Sequence, residues 1–396
     1  RLGYAADVWI DAFPNRAFAG KVTYISPEAE FTPKNVQTKE DRVKLVFGVK
    51  VEIENKEGLL KPGLPADAAI RVAPAVKSER GGTIMATPAV ETRGLGRLFE
   101  SVEAVRSLDL TVNEWEMFGL VGPDGAGKTT VIRILCGILP PTSGRASVLG
   151  FDVVEDAAKL KSRVGYLSQK FSLYGDLTID ENIEFFAEIH MVRDYQARRE
   201  ELLEFTRLAP FRKRLAERLS GGMRQKLALA CALIHTPRII FLDEPTTGVD
   251  AVSRRDFWKI LSSLLRSGIT IVMTTPYMDE AERCSRVGLL SGGRLVAADT
   301  PQGIKGLMRG TVVEIVCPEI RRAFAVLKKT PGVEEVQLFG DRLNIVVVDP
   351  DREIPRIVGA LAGEGIPILQ KRVLAPSLEN VFISVTQSAA TEAGHV

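Results

Sequence analysis

An α/β fold built on a parallel sheet, with a small all-β segment before it and a ferredoxin-like α+β unit after it, is what this sequence of 396 residues predicts. Three observations carry that expectation. Gly122-Pro123-Asp124-Gly125-Ala126-Gly127-Lys128-Thr129-Thr130 is a G-x-x-x-x-G-K-T run between an apolar strand-like run (117–121) and a helix-like one (131–139), the context a phosphate-binding loop requires. Ile239-Ile240-Phe241-Leu242 is continuously apolar, as in a strand covered on both faces, and ends in Asp243-Glu244. Val43, Leu45, Phe47, Val49, Val51 and Ile53 alternate with mostly polar neighbours, the period-two mark of a half-buried strand.

Composition narrows the classes. Apolar content of 45% and charged content of 26% are those of a globular chain long enough for two or three domains. A net charge of +2 gives no global basic field, which argues against a nucleic-acid partner. Cys136, Cys231, Cys284 and Cys317 stand alone and read as buried free thiols. His190, His235 and His395 are too scattered to suggest a metal site. No apolar run approaches the roughly 18 residues that cross a bilayer. The chain opens at Arg1 without a methionine, so the expectation is a fragment at its N-terminus.

In chain order, residues 1–74 read as all-β, with strands at 4–10, 18–25, 43–53 and 66–72 and a turn at Lys61-Pro62-Gly63. Residues 75–90 read as a linker containing Pro88 and Met85. Residues 91–310 alternate short apolar strands with amphipathic helices, the pattern of a parallel sheet, interrupted by a helical subdomain at about 171–235. Thr178-x-x-Glu181 is a capping box at a helix start. Residues 311–386 follow a β-α-β-β-α-β order, with helices at 319–329 and 354–362 and a hairpin at Gly340-Asp341. Residues 387–396 read as a disordered tail.

The glycines of the loop 122–130 let backbone N–H groups face a polyphosphate at the positive end of the following helix. Lys128 supplies a point charge for the β- and γ-phosphates and the Thr129 hydroxyl a ligand for Mg²⁺. Asp243, ending its buried strand, is placed to hold Mg²⁺ through water, and Glu244 to polarise an attacking water. Gln169, after the apolar run 164–167, offers an amide to metal or water. Leu219-Ser220-Gly221-Gly222-Met223-Arg224-Gln225 opens an Ala/Leu-rich helix with Ser220 as N-cap, its free N–H groups suited to a second γ-phosphate.

The order of these motifs over about 91–301 resembles the ATPase subunit of ABC transporters, a P-loop NTPase fold. That resemblance implies Walker A at 122–130 (Gly122, Pro123, Asp124, Gly125, Ala126, Gly127, Lys128, Thr129 and Thr130), a Q-loop at Gln169 and a signature at 219–223 with Ser220, Gly221 and Gly222. It further implies Walker B at 239–243, Glu244 as base, a D-loop at Gly248-Val249-Asp250 and Phe99 as the adenine-stacking ring. ATP and Mg²⁺ follow as ligands. The last unit and the run Asp279-Glu280-Ala281-Glu282-Arg283-Cys284 resemble the drug- and polysaccharide-exporting branch. One position departs: where the family carries a switch histidine, this chain has Pro276, in Thr274-Thr275-Pro276-Tyr277-Met278. Proline has neither a side-chain donor nor a backbone N–H, and removing one transition-state donor costs about 10²–10³-fold in rate. The resemblance thus implies a degenerate site here, and a heteromer with a second ABC ATPase subunit rather than a homomer.

Ile25-Ser26-Pro27-Glu28-Ala29-Glu30-Phe31-Thr32-Pro33-Lys34 with Leu60-Lys61-Pro62-Gly63-Leu64 resembles the C-terminal β-domain of periplasmic membrane-fusion adaptor proteins. Such a segment belongs outside the membrane, whereas an ATPase belongs on the cytoplasmic face of the inner membrane. The expectation is a joined neighbouring coding region, with Met85 starting the ATPase; the alternative is an adaptor-derived domain reused in the cytosol. The leading function is the energy-coupling subunit of an exporter with an ABC-2 type membrane permease and a membrane-fusion adaptor. The alternatives are an ABC protein acting on nucleic acid or ribosomes and a non-hydrolysing ATP-gated regulator.

Overall fold

The computed structural model describes residues 5–10, 17–31, 45–53, 66–70, 88–170, 173–308 and 310–393, and the chain divides into two compact units, Arg1–Met85 and Ala86–Val396.

In the first unit, β1 (Ala5–Ile10), β2 (Ala17–Phe31), β3 (Leu45–Ile53) and β4 (Ala66–Ile70) form an antiparallel sheet in the order β3-β2-β1-β4. Ala6, Val8, Phe18 and Val22 are buried apolar residues among those described. The expected turn at Lys61-Pro62-Gly63, the expected start at Met85, and most of the linker, 75–87, lie outside the described residues.

The second unit opens earlier than expected. Residues 88–90, read as linker, already belong to β5 (Pro88–Phe99), which pairs antiparallel with β6 (Val102–Asn113). Then come β7 (Met117–Val121), α1 (Lys128–Leu135), β8 (Ser143–Val148), β9 (Phe151–Asp152), α2 (Ala157–Lys161) and β10 (Val164–Leu167). The helical insert holds α3 (Ile179–Ile189), α4 (Gln196–Thr206) and α5 (Gly221–Leu233). The α/β order resumes with β11 (Ile239–Asp243), α6 (Ala251–Arg266), β12 (Thr270–Thr275), α7 (Met278–Ala281), β13 (Arg286–Ser291), β14 (Arg294–Asp299) and α8 (Pro301–Lys305).

Six strands form one sheet in the order β10-β11-β12-β7-β13-β14, parallel except for the β13–β14 hairpin. Its side chains alternate between two cores, as the strand period demands. Val121, Ile240, Leu242, Ile271 and Met273 face the helices of the insert and α6. Phe118, Leu120, Ile239, Phe241 and Val272 face α1 and a second, antiparallel sheet, β6-β5-β8-β9. Sequence periodicity suggests only alternating strands and helices over this stretch, and the second sheet corrects that. Its long strands are broken by register shifts between Thr92 and Leu95 and between Leu95 and Arg97, so no clean period-two run marks them.

The last segment contains β15 (Thr311–Val316), α9 (Ile320–Leu327), β16 (Glu335–Phe339), β17 (Arg342–Val347), α10 (Pro350–Gly363), β18 (Gln370–Leu374) and α11 (Leu378–Ala393). Its strands make an antiparallel sheet, β16-β17-β15-β18. The tail expected from 387 is helical as far as Ala393, and 394–396 lie outside the described residues. No described helix is long and apolar enough to cross a membrane.

Candidate functional site

The ends of three adjacent parallel strands converge on one edge of the six-stranded sheet. Register sets Asp243 of β11 beside Thr274 of β12, and Thr274 beside Leu120 of β7, so the loop 122–130 begins just beyond its two neighbours. In open α/β sheets that carboxyl edge is where ligands bind.

The loop's shape requires its glycines. Gly127 sits at φ 101° and a Cβ there would meet the Ala104 carbonyl oxygen at 2.3 Å; at Gly122 it would meet that of Leu290 at 2.2 Å. Gly127 is also the N-cap of α1, whose first residues are Lys128 and Thr129. Lys128 donates to the carbonyls of Gly122 and Pro123, at 2.8 and 3.0 Å, and pairs with Glu244 at 3.2 Å. Both charged side chains are almost fully buried, 3% and 8% exposed, and in so dry a setting the Coulomb attraction is strong.

Around Asp243 the polar atoms interlock. Oδ1 accepts from the hydroxyls of Thr129 at 3.0 Å and Thr274 at 2.8 Å. Oδ2 is buried and has no hydrogen-bond partner. Burial raises the pKa of this carboxyl, opposed by the two threonine hydrogen bonds. A buried acceptor without a partner beside a threonine hydroxyl suits a hard cation that takes oxygen ligands. Glu244 stands at φ 47°, left-handed backbone uncommon for a side chain of this size, and its N–H donates to the Thr274 hydroxyl at 2.9 Å. Gln169 donates through Nε2 to Glu244 Oε2 at 2.8 Å. Gln169, Lys128, Thr129, Asp243 and Glu244 thus form one connected cluster.

Pro276 follows β12 directly on the same edge and is half-buried. The strand's last hydroxyl, on Thr275, donates to buried Glu280 at 2.8 Å and accepts from the Tyr277 N–H at 3.0 Å. Glu280 also accepts from the Thr246 hydroxyl at 2.6 Å. Sequence reading assigns no role to Thr274, Thr246 or Glu280; the polar ends of otherwise apolar strands are the available signal.

A second cluster lies at the start of α5. Ser220 caps it, its hydroxyl accepting from the Met223 N–H at 3.3 Å. A Cβ on Gly222 would fall 2.3 Å from the Ser253 hydroxyl oxygen in the first turn of α6, and one on Gly221 would fall 3.9 Å from the Gly248 carbonyl. Asp250 caps α6 by accepting from the N–H groups of Val252 and Ser253 at 3.0 and 2.9 Å, and those bonds hold its carboxyl below the usual range. Ser220, Gly221 and Gly222 therefore abut the loop 248–250. Phe99 ends β5, 41% exposed, with the Arg97 guanidinium 4.6 Å from its ring centroid. All four cysteines are buried free thiols. His190 and His235 stack at 4.0 Å, although no group of three potential metal ligands occurs among the described residues.

Two family profiles match stretches of the second unit. The ABC transporter family profile matches residues 105–247, and that of the ATP-binding protein DrrA1-3-like C-terminal domain matches residues 300–386. The chain is 42% identical over 312 residues to the probable multidrug ABC transporter ATP-binding protein YbhF of Escherichia coli (strain K12), covering 76% of this chain and 53% of that protein. It thus spans about half the length of that relative. It is 35% identical to the daunorubicin resistance ATP-binding protein DrrA3 of Streptomyces coeruleorubidus, over 76% of this chain and 97% of that one. Nod factor export ATP-binding protein I of Cupriavidus pinatubonensis is also 35% identical, with coverages of 76% and 91%. A solved ATP binding subunit of an ABC transporter superposes with a TM-score of 0.51 at 26% identity, over 55% of this chain and 92% of that one.

Proposed function

The chain belongs to the ATP-binding proteins of ABC transporters, in the DrrA-like export branch, and from that premise we propose that it binds Mg-ATP and couples it to export through a separate membrane permease. The observation that carries this reading is the cluster of Lys128, Thr129, Asp243, Glu244 and Gln169 on one sheet edge. In it, residues 122–130 cradle the phosphates and Phe99 stacks on adenine. Thr129, Asp243 and Gln169 would hold Mg²⁺, which when bound would supply positive charge against the phosphates. Glu244 orients and deprotonates the attacking water. Ser220, Gly221, Gly222 and Asp250 face the nucleotide of a second ABC ATPase subunit.

Pro276 leaves the γ-phosphate without the donor that a histidine would supply. The chain's own site is therefore slow, and its intact 219–223 motif completes a competent site in a partner subunit. ATP turnover of the isolated chain and of Pro276→His tests this. The variant should gain about 10²-fold; wild-type turnover at an ordinary transporter rate without a partner would sink the heteromer. Co-purification with a polytopic membrane protein separates an exporter subunit from a nucleic-acid or purely regulatory ABC protein.

The sheet order β16-β17-β15-β18 supports a ferredoxin-like reading of the last unit. For residues 1–74, the adaptor-like reading is supported by the two sequence runs that suggested it, and the matched family profiles begin at residue 105. The proposed site of action is the cytoplasmic face of the inner membrane.

A further inference from the structure

A groove of about 150 Å³ lies between α4, α5 and α6, lined by Thr206, Arg207, Lys226, Asp256, Lys259 and Ser263 among others. That is below the roughly 300–1,000 Å³ of pockets for drug-sized ligands and suits a small oxyanion. Three cations and one carboxylate line the groove. Lys226 Nζ lies 3.9 Å from Asp256 and Lys259 Nζ 3.6 Å, beyond the roughly 2.7–2.9 Å of a charge-assisted hydrogen bond. Among the described residues neither ammonium has an acceptor within bonding distance. The Lys226 side chain is only 14% exposed, so its charge is largely desolvated with weak compensation. Arg207, the C-cap of α4, sits in left-handed backbone at φ 58°, uncommon for a side chain of its size, and no described carboxylate pairs with it.

We propose that this groove binds a phosphate-class dianion, inorganic phosphate or a phosphomonoester headgroup, held by Arg207, Lys226 and Lys259. An oxyanion there completes the donors that Asp256 leaves unused and turns a net positive cluster neutral. It also bridges two helices that matter elsewhere. Lys226 lies on α5, whose first turn is 221–223, and Lys259 on α6, whose cap is Asp250. The bound anion therefore braces one against the other.

The test uses the full chain with Mg²⁺ and a non-hydrolysable ATP analogue, which occupies the loop 122–130. Equilibrium dialysis with labelled inorganic phosphate compares wild type with Lys226→Gln/Lys259→Gln. One further saturable phosphate per chain is expected, at least tenfold weaker in the double variant, while Lys161→Gln binds as wild type does. Because the readout is the difference between variants, it stands apart from whether the analogue binds. A parallel arm sediments the protein with phosphatidylcholine vesicles with and without phosphatidic acid. Retention that depends on phosphatidic acid and on Lys226 and Lys259, without free-phosphate binding, assigns the site to a headgroup. Equal behaviour of wild type and double variant in both arms overturns the proposal. If the double variant misfolds, exposed Arg207→Gln decides: it should weaken phosphate or vesicle binding severalfold, and unchanged binding in both arms overturns the proposal equally.

Discussion

Lys128 is held by three acceptors at once, two loop carbonyls and the Glu244 carboxylate. Breaking a buried ion pair by removing one partner typically costs about 3–5 kcal/mol, because the other charge is stranded. Lys128→Ala should therefore lower the melting temperature as well as nucleotide affinity, the latter by about 10–100-fold, the scale of one hydrogen bond to a charged group. Calorimetric unfolding and ATP-analogue titration read the two effects separately. Glu244→Gln behaves differently, since the amide keeps the shape, removes a negative charge beside the proposed triphosphate site and frees Lys128 from its ion pair. ATP affinity should hold or rise while single-turnover hydrolysis falls by at least about 10²-fold, the scale of a general-base contribution. A variant that hydrolyses ATP at the wild-type rate would remove Glu244 from the base role. Asp243 needs its neighbours as much as its charge: the one Thr274 hydroxyl serves both Asp243 and the Glu244 N–H. Asp243 and Glu244 are legible in the sequence because they end a strand. Thr274 is not, since its partners sit 31 and 30 residues away.

Elements respond to their tightest points. Gly127 combines φ 101° with a backbone oxygen where its Cβ would sit, so Gly127→Ala must move either the loop or strand β6. A cost of about 1–3 kcal/mol for the strained backbone alone predicts a lower melting temperature and weaker nucleotide binding together. At the α3–α5 face, His235 is held neutral, its pKa pushed down to about 4 by burial and then by His190, against a raising contribution from the Val164 carbonyl. His190, capping α3, is lowered by burial as well. An unfolded histidine titrates near 6.5, so between about 6.5 and 4 the unfolded chain binds more protons than the folded one. The stability from this pair is complete above 6.5 and is lost as pH falls toward 4. Urea midpoints at pH 7.5 and 5.0 should differ more for wild type than for His235→Gln; an equal difference would show that the pair does not titrate with folding. These elements also mark how far the sequence can be read. The capping box at Thr178 and Glu181 is present as expected, because its partners are three residues apart. The parallel core is legible from its uniformly apolar strands. The sheet β6-β5-β8-β9 is not, since Gly94, Gly96 and the register shifts around them erase its period. The histidine stack joins residues that no local pattern connects.

In the Ala86–Val396 unit, helix α11 ties the last sheet to the core beneath the six-stranded sheet. Leu378 and Val381 are fully buried with Ile304 of α8 in the core beneath the six-stranded sheet. Asn380, on another side of the same turn, exchanges hydrogen bonds with Gln337 of β16, Asn380 Nδ2 to Gln337 Oε1 at 2.7 Å and Gln337 Nε2 to the Asn380 carbonyl at 2.9 Å. One turn thus faces two cores, apolar toward the first and polar toward the second. Leu→Ala at a site this buried costs about 2–5 kcal/mol, and removing one partner of a buried amide pair costs about 1–3 kcal/mol. The two substitutions should read out differently. Leu378→Ala loosens the anchor in the core beneath the six-stranded sheet, and hydrogen exchange should then accelerate across α8 and α11. Asn380→Ala strands Gln337, and the acceleration should centre on β16 and β17. If the last sheet and the core unfold as one cooperative body, wild-type urea unfolding of this unit is a single transition. The Leu378→Ala/Asn380→Ala double variant should split it in two, with the slope of each smaller than that of the whole because each exposes less surface. Retention of one transition with the full slope would mean that packing beyond α11 joins the two.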